Sequence, residues 1–315
     1  MNSNFKKDIN DGLSSPIKTL SSKYFYDTAG DALFVKIMNL PEYYLTKAEF
    51  DIFKNQTQNI IKSLNIEPDT FFELVELGAG DGTKTKELLK VLISENYNFK
   101  YLPVDISNNA LDKLKANLNT ELPTLKVSKK QGDYFDVLDS LKASNHPKVV
   151  LFLGSNIGNM EDEQAKLFIS KLSNSLNISD NVLLGVDLIK SKDIVLPAYN
   201  DKSGVTKAFN LNLLNRINNE LDADFNIDAF SHQPEYTEKE GIARSFIVSN
   251  KEQEVRIGAL DKVFKFKKDE KIHTEISRKY NDTILNTILE NSQLKKVTKL
   301  LDSKSYFADY ILIKS

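Results

Sequence analysis

Cysteine is absent from the 315 residues, which excludes a disulfide scaffold, a thiolate zinc site and a cysteine nucleophile. Histidine is nearly as scarce: His146, His232 and His273 are the three present, too dispersed for a His-rich metal site. Neither charge sign dominates. With 42 Lys and Arg against 44 Asp and Glu the net charge is −2, so a nucleic-acid binder held mainly through phosphates is not expected. No apolar run approaches the ~20 residues of a membrane span, and the leading MNSNFKKDINDG has no apolar core of the signal-peptide kind. A chain that is 41% hydrophobic and 27% charged has the composition of an ordinary globular protein. We expect a soluble, cytoplasmic protein with no metal, nucleic-acid or membrane partner. Its near-neutral charge, without an evident exposed apolar stripe, points to a monomer.

From residue 71 the pattern alternates. Phe71–Leu77, Lys100–Ser107, Lys148–Leu153 and Asn181–Leu188 read as apolar strands. Between them Thr83–Ser94, Asn108–Leu118 and Glu163–Leu176 carry apolar residues at helical spacing. Continuous apolar strands alternating with helices predict an α/β, doubly wound, mainly parallel sheet covered on both faces. Two stretches break the rhythm. Residues 1–60 read as helices and loops; 195–285 read as a helix (Thr206–Glu220) followed by β-rich pieces at Ile242–Asn250, Glu254–Leu260 and Val263–Phe266. Lys265–Lys271 reads as a solvated turn, and after an Asn281–Leu289 helix Ser303–Ser315 resumes a strand-like pattern. The simplest architecture returns that last strand to the main sheet. It gives a cofactor domain of 61–194 plus 286–315, and a second, α+β substrate lobe of 1–60 plus 195–285.

Three loops carry the chemistry. Glu76-Leu77-Gly78-Ala79-Gly80-Asp81-Gly82 lies at a strand-to-helix turn, where glycines admit a ligand close to the backbone and the helix offers free N–H groups. Such a loop alone serves NAD, FAD or S-adenosylmethionine equally. One βα unit later Asp105 ends the next strand, where a carboxylate can accept ribose hydroxyls. Gln131-Gly132-Asp133-Tyr134 falls where the following strand should end, placing an acid for an adenine amine and a ring beside it. Together these describe an adenosine-type pocket. Glu76 ahead of Leu-Gly-x-Gly, and Thr83-Lys84 in place of a third close glycine, favour S-adenosyl-L-methionine over a nicotinamide dinucleotide.

With these loops go Tyr24-Phe25-Tyr26-Asp27, Leu40-Pro41-Glu42-Tyr43-Tyr44-Leu45-Thr46-Lys47-Ala48-Glu49, Pro103-Val104-Asp105-Ile106-Ser107, Gly154-Ser155-Asn156-Ile157-Gly158-Asn159 and Thr274-Glu275-Ile276-Ser277. In this order, over nearly the whole chain, they resemble the histidine-specific Nα-methyltransferase family. Its members use S-adenosylmethionine to make trimethylhistidine for ergothioneine synthesis. The resemblance implies the same two-lobed architecture. It implies that Gly78, Lys84, Asp105, Asp133 and Tyr134 hold the cofactor, with Gly80 in the same loop. Tyr43, Asn159, Tyr199, Glu275 and Ser277 would hold the amino acid, with Tyr26 and Gly154 close by. Asn159 and Tyr199 would take its α-amino and carboxylate ends, Glu275 and Ser277 its imidazole. One position departs: Ala243-Arg244-Ser245 stands where the family has Ile-Glu-Met, so Ser245 replaces a methionine expected against the imidazole. Side-chain specificity is thereby left open between histidine and another amino acid or aromatic amine.

Methyl transfer from a sulfonium to an amine needs neither metal nor covalent nucleophile, only a neutral amine fixed against the methyl carbon; no catalytic side chain is therefore assigned. A pocket-facing Glu275 paired with an imidazole N–H would contribute about 1.5–3 kcal/mol. His273 reads as structural. Three other readings compete: a nucleic-acid methyltransferase, a non-catalytic metabolite-binding module and a nicotinamide oxidoreductase. The first usually carries an Asn/Asp-Pro-Pro-aromatic turn where Gly154-Ser155-Asn156-Ile157 stands here.

Overall fold

The computed structural model describes residues 3–142 and 144–315; the side chains of Ser3, Tyr134, Phe135, Asp139 and Leu141 lie outside the described set. In chain order the elements begin with α1 (Ser3–Ser14), α2 (Thr28–Met38) and α3 (Tyr44–Leu64). The alternating stretch follows: β1 (Phe72–Leu77), α4 (Thr85–Ser94), β2 (Phe99–Asp105), α5 (Asn108–Glu121), β3 (Lys130–Gln131), α6 (Tyr134–Leu141), β4 (Lys148–Phe152), α7 (Asp162–Asn174) and β5 (Asn181–Asp187). Then come α8 (Lys192–Tyr199), α9 (Val205–Leu221), β6 (Phe230–Thr237), β7 (Ile242–Ser249), β8 (Gln253–Ile257), β9 (Lys262–Phe266) and β10 (Lys271–Arg278). The chain finishes with α10 (Asp282–Leu289), β11 (Leu294–Leu301) and β12 (Phe307–Lys314).

These elements form two compact units, one of Met1–Tyr44 with Lys190–Ser277 (the α+β unit), the other of Leu45–Ile189 with Arg278–Ser315 (the sheet unit). The boundaries differ from the sequence-based ones. Most of α3 and residues 278–285 fall with the sheet. Ile52, Phe53 and Ile60 of α3 join the core formed by Leu74, Leu151 and Ile311, and Tyr280 and Leu285 join the core on the other face.

In the sheet unit seven strands run in the order β11-β12-β5-β4-β1-β2-β3. Neighbours among β1 to β5 are parallel, whereas β12 pairs antiparallel with both β5 and β11. The terminal strand thus returns to the main sheet as expected. Strand residues alternate between the two faces: Val149 and Leu151 enter the core shared with α3 and α4, Val150 and Phe152 the core shared with α7 and α10. Every residue of β4 and β5 is buried, which is why these two strands read as unbroken apolar runs. Helix α4 buries Thr85, Leu88, Leu89 and Leu92, one stripe at 3.6-residue spacing.

In the α+β unit β10, β7 and β6 form a three-stranded sheet and β8 pairs with β9 in a separate ribbon. Its core joins Phe5, Ile9 and Leu13 of α1 and Phe25 to Phe209, Leu213 and Ile217 of α9. The turn expected over Lys265–Lys271 is shorter: Lys265 and Phe266 end β9 and Lys271 opens β10. No helix among the described residues is long and apolar enough to cross a membrane.

Candidate active site

In the sheet unit three loops meet at the carboxyl ends of β1, β2 and β3. The β1 loop turns back on the sheet, its Gly78 and Ala79 N–H groups donating to the Val104 carbonyl (2.8 and 3.1 Å). Gly78 and Gly80 hold positive φ angles of 76° and 54°, a conformation that suits glycine. Space above Gly80 is open: a Cβ there would meet no atom within 4 Å. Asp105, at the end of β2, organises the other two loops around this one. Its Oδ2 accepts the Gly80 N–H (3.1 Å) and its Oδ1 the Ser107 N–H (2.9 Å). Its carbonyl accepts the Gly132 N–H (3.1 Å), which brings the loop of Gly132 and exposed Asp133 alongside. The side chain of Tyr134, the expected ring neighbour, lies outside the described residues. Bare glycine backbone, open space and a half-buried carboxylate suit an adenosine-bearing ligand.

The same edge continues to β4, where Gly154 is exposed at φ 72° and Asn159 is exposed at the end of a 3₁₀ turn, Asn156–Asn159. Two neighbours shape that turn. The Ser155 hydroxyl accepts the Asp187 N–H at 3.0 Å, and a Cβ at Gly158 would lie 2.7 Å from the Arg278 carbonyl oxygen, so only glycine fits.

Below these loops lies a set of buried ionisable groups. Lys84, expected to hold the cofactor, pairs with Glu49, and the Glu49 carboxylate also accepts the Gly154 N–H at 2.8 and 3.0 Å. Burial would lower the Lys84 ammonium, but the attraction of Glu49 outweighs it and holds Lys84 above the ordinary lysine value. Glu76, wholly buried on β1, accepts the Thr85 hydroxyl at 2.7 Å and the Tyr101 hydroxyl; burial pushes its carboxyl up to about 7. Asp309 on β12 is wholly buried and neither carboxylate oxygen has a hydrogen-bond partner among the described residues. Burial and the nearby Glu49 raise it well above its ordinary value. Glu49 stands inside a motif singled out in the sequence, yet nothing there gave it a role. Its partners lie 35 and 105 residues away, a distance no local pattern spans.

In the α+β unit four of the expected substrate residues gather at β10 and β7. Ser277 and Tyr199 are joined by a 2.7 Å hydrogen bond from the Tyr199 hydroxyl. Glu275 lies two residues before Ser277 on β10, and the Ser245 hydroxyl donates to its Oε2 at 3.5 Å. Thr274, pointing to the other face, donates to the Ser245 carbonyl at 2.9 Å and locks the register. His273 lies 3.1 Å from the Glu275 carbonyl through Nε2 and packs against the Phe246 ring at 5.3 Å. Tyr26 and Tyr43 belong to a second cluster, both edge-on to Phe34 at 5.6 and 6.4 Å. Helix α9 touches both groups: Phe209 packs on Tyr26, and the next residue, Asn210, accepts the Thr274 hydroxyl. Asp27 explains the rest of the first motif. It caps α2 through the Gly30 N–H at 2.7 Å and accepts from Asn212 of α9 at 2.9 Å.

Comparison with known proteins shows the family of the chain. The family described as "Histidine-specific methyltransferase, SAM-dependent" matches residues 5–314. A histidine N-alpha-methyltransferase of Mycolicibacterium smegmatis is 35% identical over 87% of this chain and 84% of its own length. One from Mycobacterium tuberculosis is 32% identical over 96% and 92%. Ergothioneine biosynthesis protein 1 of Schizosaccharomyces pombe is 30% identical over 94% of this chain, which spans 39% of that longer protein. The chain belongs to the histidine-specific, S-adenosylmethionine-dependent methyltransferase family.

Proposed function

We propose that the protein transfers methyl groups from S-adenosylmethionine to the α-amino nitrogen of L-histidine, up to the trimethylated product. The observation that carries this reading is the pairing of a family match over residues 5–314 with a Glu275 carboxylate two residues from Ser277 on β10. Bound S-adenosylmethionine supplies an electrophilic methyl carbon on a sulfonium. The protein's part is to present a nitrogen lone pair in line with it. Gly78, Gly80, Lys84, Asp105 and Asp133 would hold the cofactor. Asn159 and Tyr199 would take the amino and carboxylate ends of the substrate and Tyr43 would help to hold it, with Tyr26 and Gly154 close by. Glu275 and Ser277 would accept and bond the imidazole. Each transfer forms one N–C bond, breaks one C–S bond and leaves an ammonium, which must release a proton before the next. A trimethylated nitrogen has neither proton nor lone pair, so the chemistry stops at three.

Ser245 favours a second reading, the same transfer to another amino acid or aromatic amine, because a small polar side chain stands where the family has methionine. We further read the protein as a cytoplasmic monomer, on the grounds of composition alone.

Removing the Asn159 amide separates orientation from cofactor binding. Asn159→Ala is expected to abolish turnover of histidine while S-adenosylhomocysteine still binds with nearly unchanged affinity in calorimetry. Turnover at the wild-type rate would refute the role given to Asn159.

A further inference from the structure

The buried cluster beneath the cofactor loops has more structure than an isolated ion pair requires. Glu49 is fully buried, and both its carboxylate oxygens approach the Gly154 N–H at the end of β4, while Oε2 also receives Lys84 at the end of the β1 loop. Strand β5, which lies between β4 and β12, is shaped around this carboxylate. A Cβ on Gly185 of β5 would overlap Glu49 Oε1 and come within 3.0 Å of Asp309 Oδ1. Only glycine therefore leaves room for both acids on this patch of the sheet. Two neighbouring buried acids facing one lysine cannot both stay ionised at modest cost. Asp309 accepts no hydrogen bond among the described residues, whereas Glu49 is bonded to both Lys84 and Gly154. Lys84 itself is 19% exposed, the member of the cluster that reaches solvent.

We propose that Glu49 is a positioning residue of the cofactor site. By holding the Lys84 ammonium and the Gly154 N–H on one buried carboxylate, it fixes the ends of the β1 and β4 loops relative to each other. This rests on the reading that Lys84 and the Gly78–Gly82 loop hold S-adenosylmethionine, and it adds the residue that fixes them in place. Pre-set loops bind without first being ordered, so loss of the tie is felt in cofactor affinity more than in the chemical step.

Calorimetry with S-adenosylhomocysteine on the full chain tests it. Wild-type protein that fails to bind would overturn the cofactor reading itself. Given wild-type binding, Glu49→Gln is expected to weaken affinity about ten-fold or more and to raise the KM for S-adenosylmethionine more than the KM for histidine. Lys84→Gln should lose at least as much, and the double variant no more than Lys84→Gln alone, because Glu49 acts through Lys84. Losses that multiply, or Glu49→Gln affinity equal to wild type, would overturn the proposal. Should Glu49→Gln not fold, Glu49→Asp keeps the charge but is too short to reach both partners. It is expected to melt as wild type and still bind the ligand weakly, and wild-type affinity in that variant would count against the assignment equally.

Discussion

Ser245 and Glu275 make their contact at 3.5 Å, the far limit for a hydrogen bond between oxygens. A bond that long contributes little, so Ser245 adjusts the carboxylate rather than holding it. Removing the hydroxyl in Ser245→Ala is expected to change the KM for histidine less than about three-fold. Glu275→Gln removes the charge that would accept an imidazole N–H and should raise that KM about ten- to a hundred-fold, with kcat changed far less. Steady-state kinetics on the two variants read this directly; equal effects would show that Glu275 does not bear on the side chain of the substrate. Glu275 was legible in the sequence because it sits with Ser277 in a compact motif on β10, at a spacing that puts both on one face, and Ser245 because it departs from a short motif on β7. Glu49 and Asp309 were not. Each gains its meaning from residues far away in the chain, brought together by the packing of α3 on the sheet and by the order β12-β5-β4-β1 within it.

At the scale of elements, Glu76 ties three of them together: it stands on β1 and accepts hydroxyls from Thr85 of α4 and Tyr101 of β2. Its carboxyl titrates at about 7 in the fold against 4.5 unperturbed. The folded protein therefore binds more protons than the unfolded chain between these values, and stability falls as pH rises through that window, levelling above it. Glu76→Gln keeps the shape and removes the titration. Urea unfolding at pH 5 and pH 8 should show a smaller loss in the variant than in wild type, by an amount on the order of 3 kcal/mol. Equal losses in both proteins would mean that Glu76 is ionised in the fold throughout. Strands with apolar runs were read from the sequence to within a few residues, since burial on both faces leaves no polar interruption. Two edge strands, β6 and β11, lack an apolar run in the sequence for a common reason. Strand β6 contains Pro234, tolerated because β6 lies at the edge of its sheet. Strand β11 carries Lys295, Lys296 and Lys299 and a bulge between Lys296 and Thr298. Edge strands use such features to resist pairing with other chains, and in doing so they lose the apolar signature that would reveal them.

For the molecule as a whole, the alternation of strands and helices over residues 72–187 determines a parallel sheet, and the return of β12 antiparallel to β5 completes it. The α+β unit is assembled from two segments separated by 145 residues of the sheet unit, Leu45–Ile189. Its make-up was readable mainly as a break in the rhythm, and the boundaries moved where α3 and Tyr280 supply apolar side chains to the sheet. The family match covers both units in one span, which argues that the activity belongs to the whole chain. Incubating the full-length protein with S-adenosylmethionine and an equimolar mixture of amino acids, and following each by mass spectrometry, addresses that activity most directly. The account predicts that histidine is consumed first and ends as a species carrying three methyl groups on its α-nitrogen. Methyl groups on the imidazole ring instead, or no methylated amino acid at all, would contradict it.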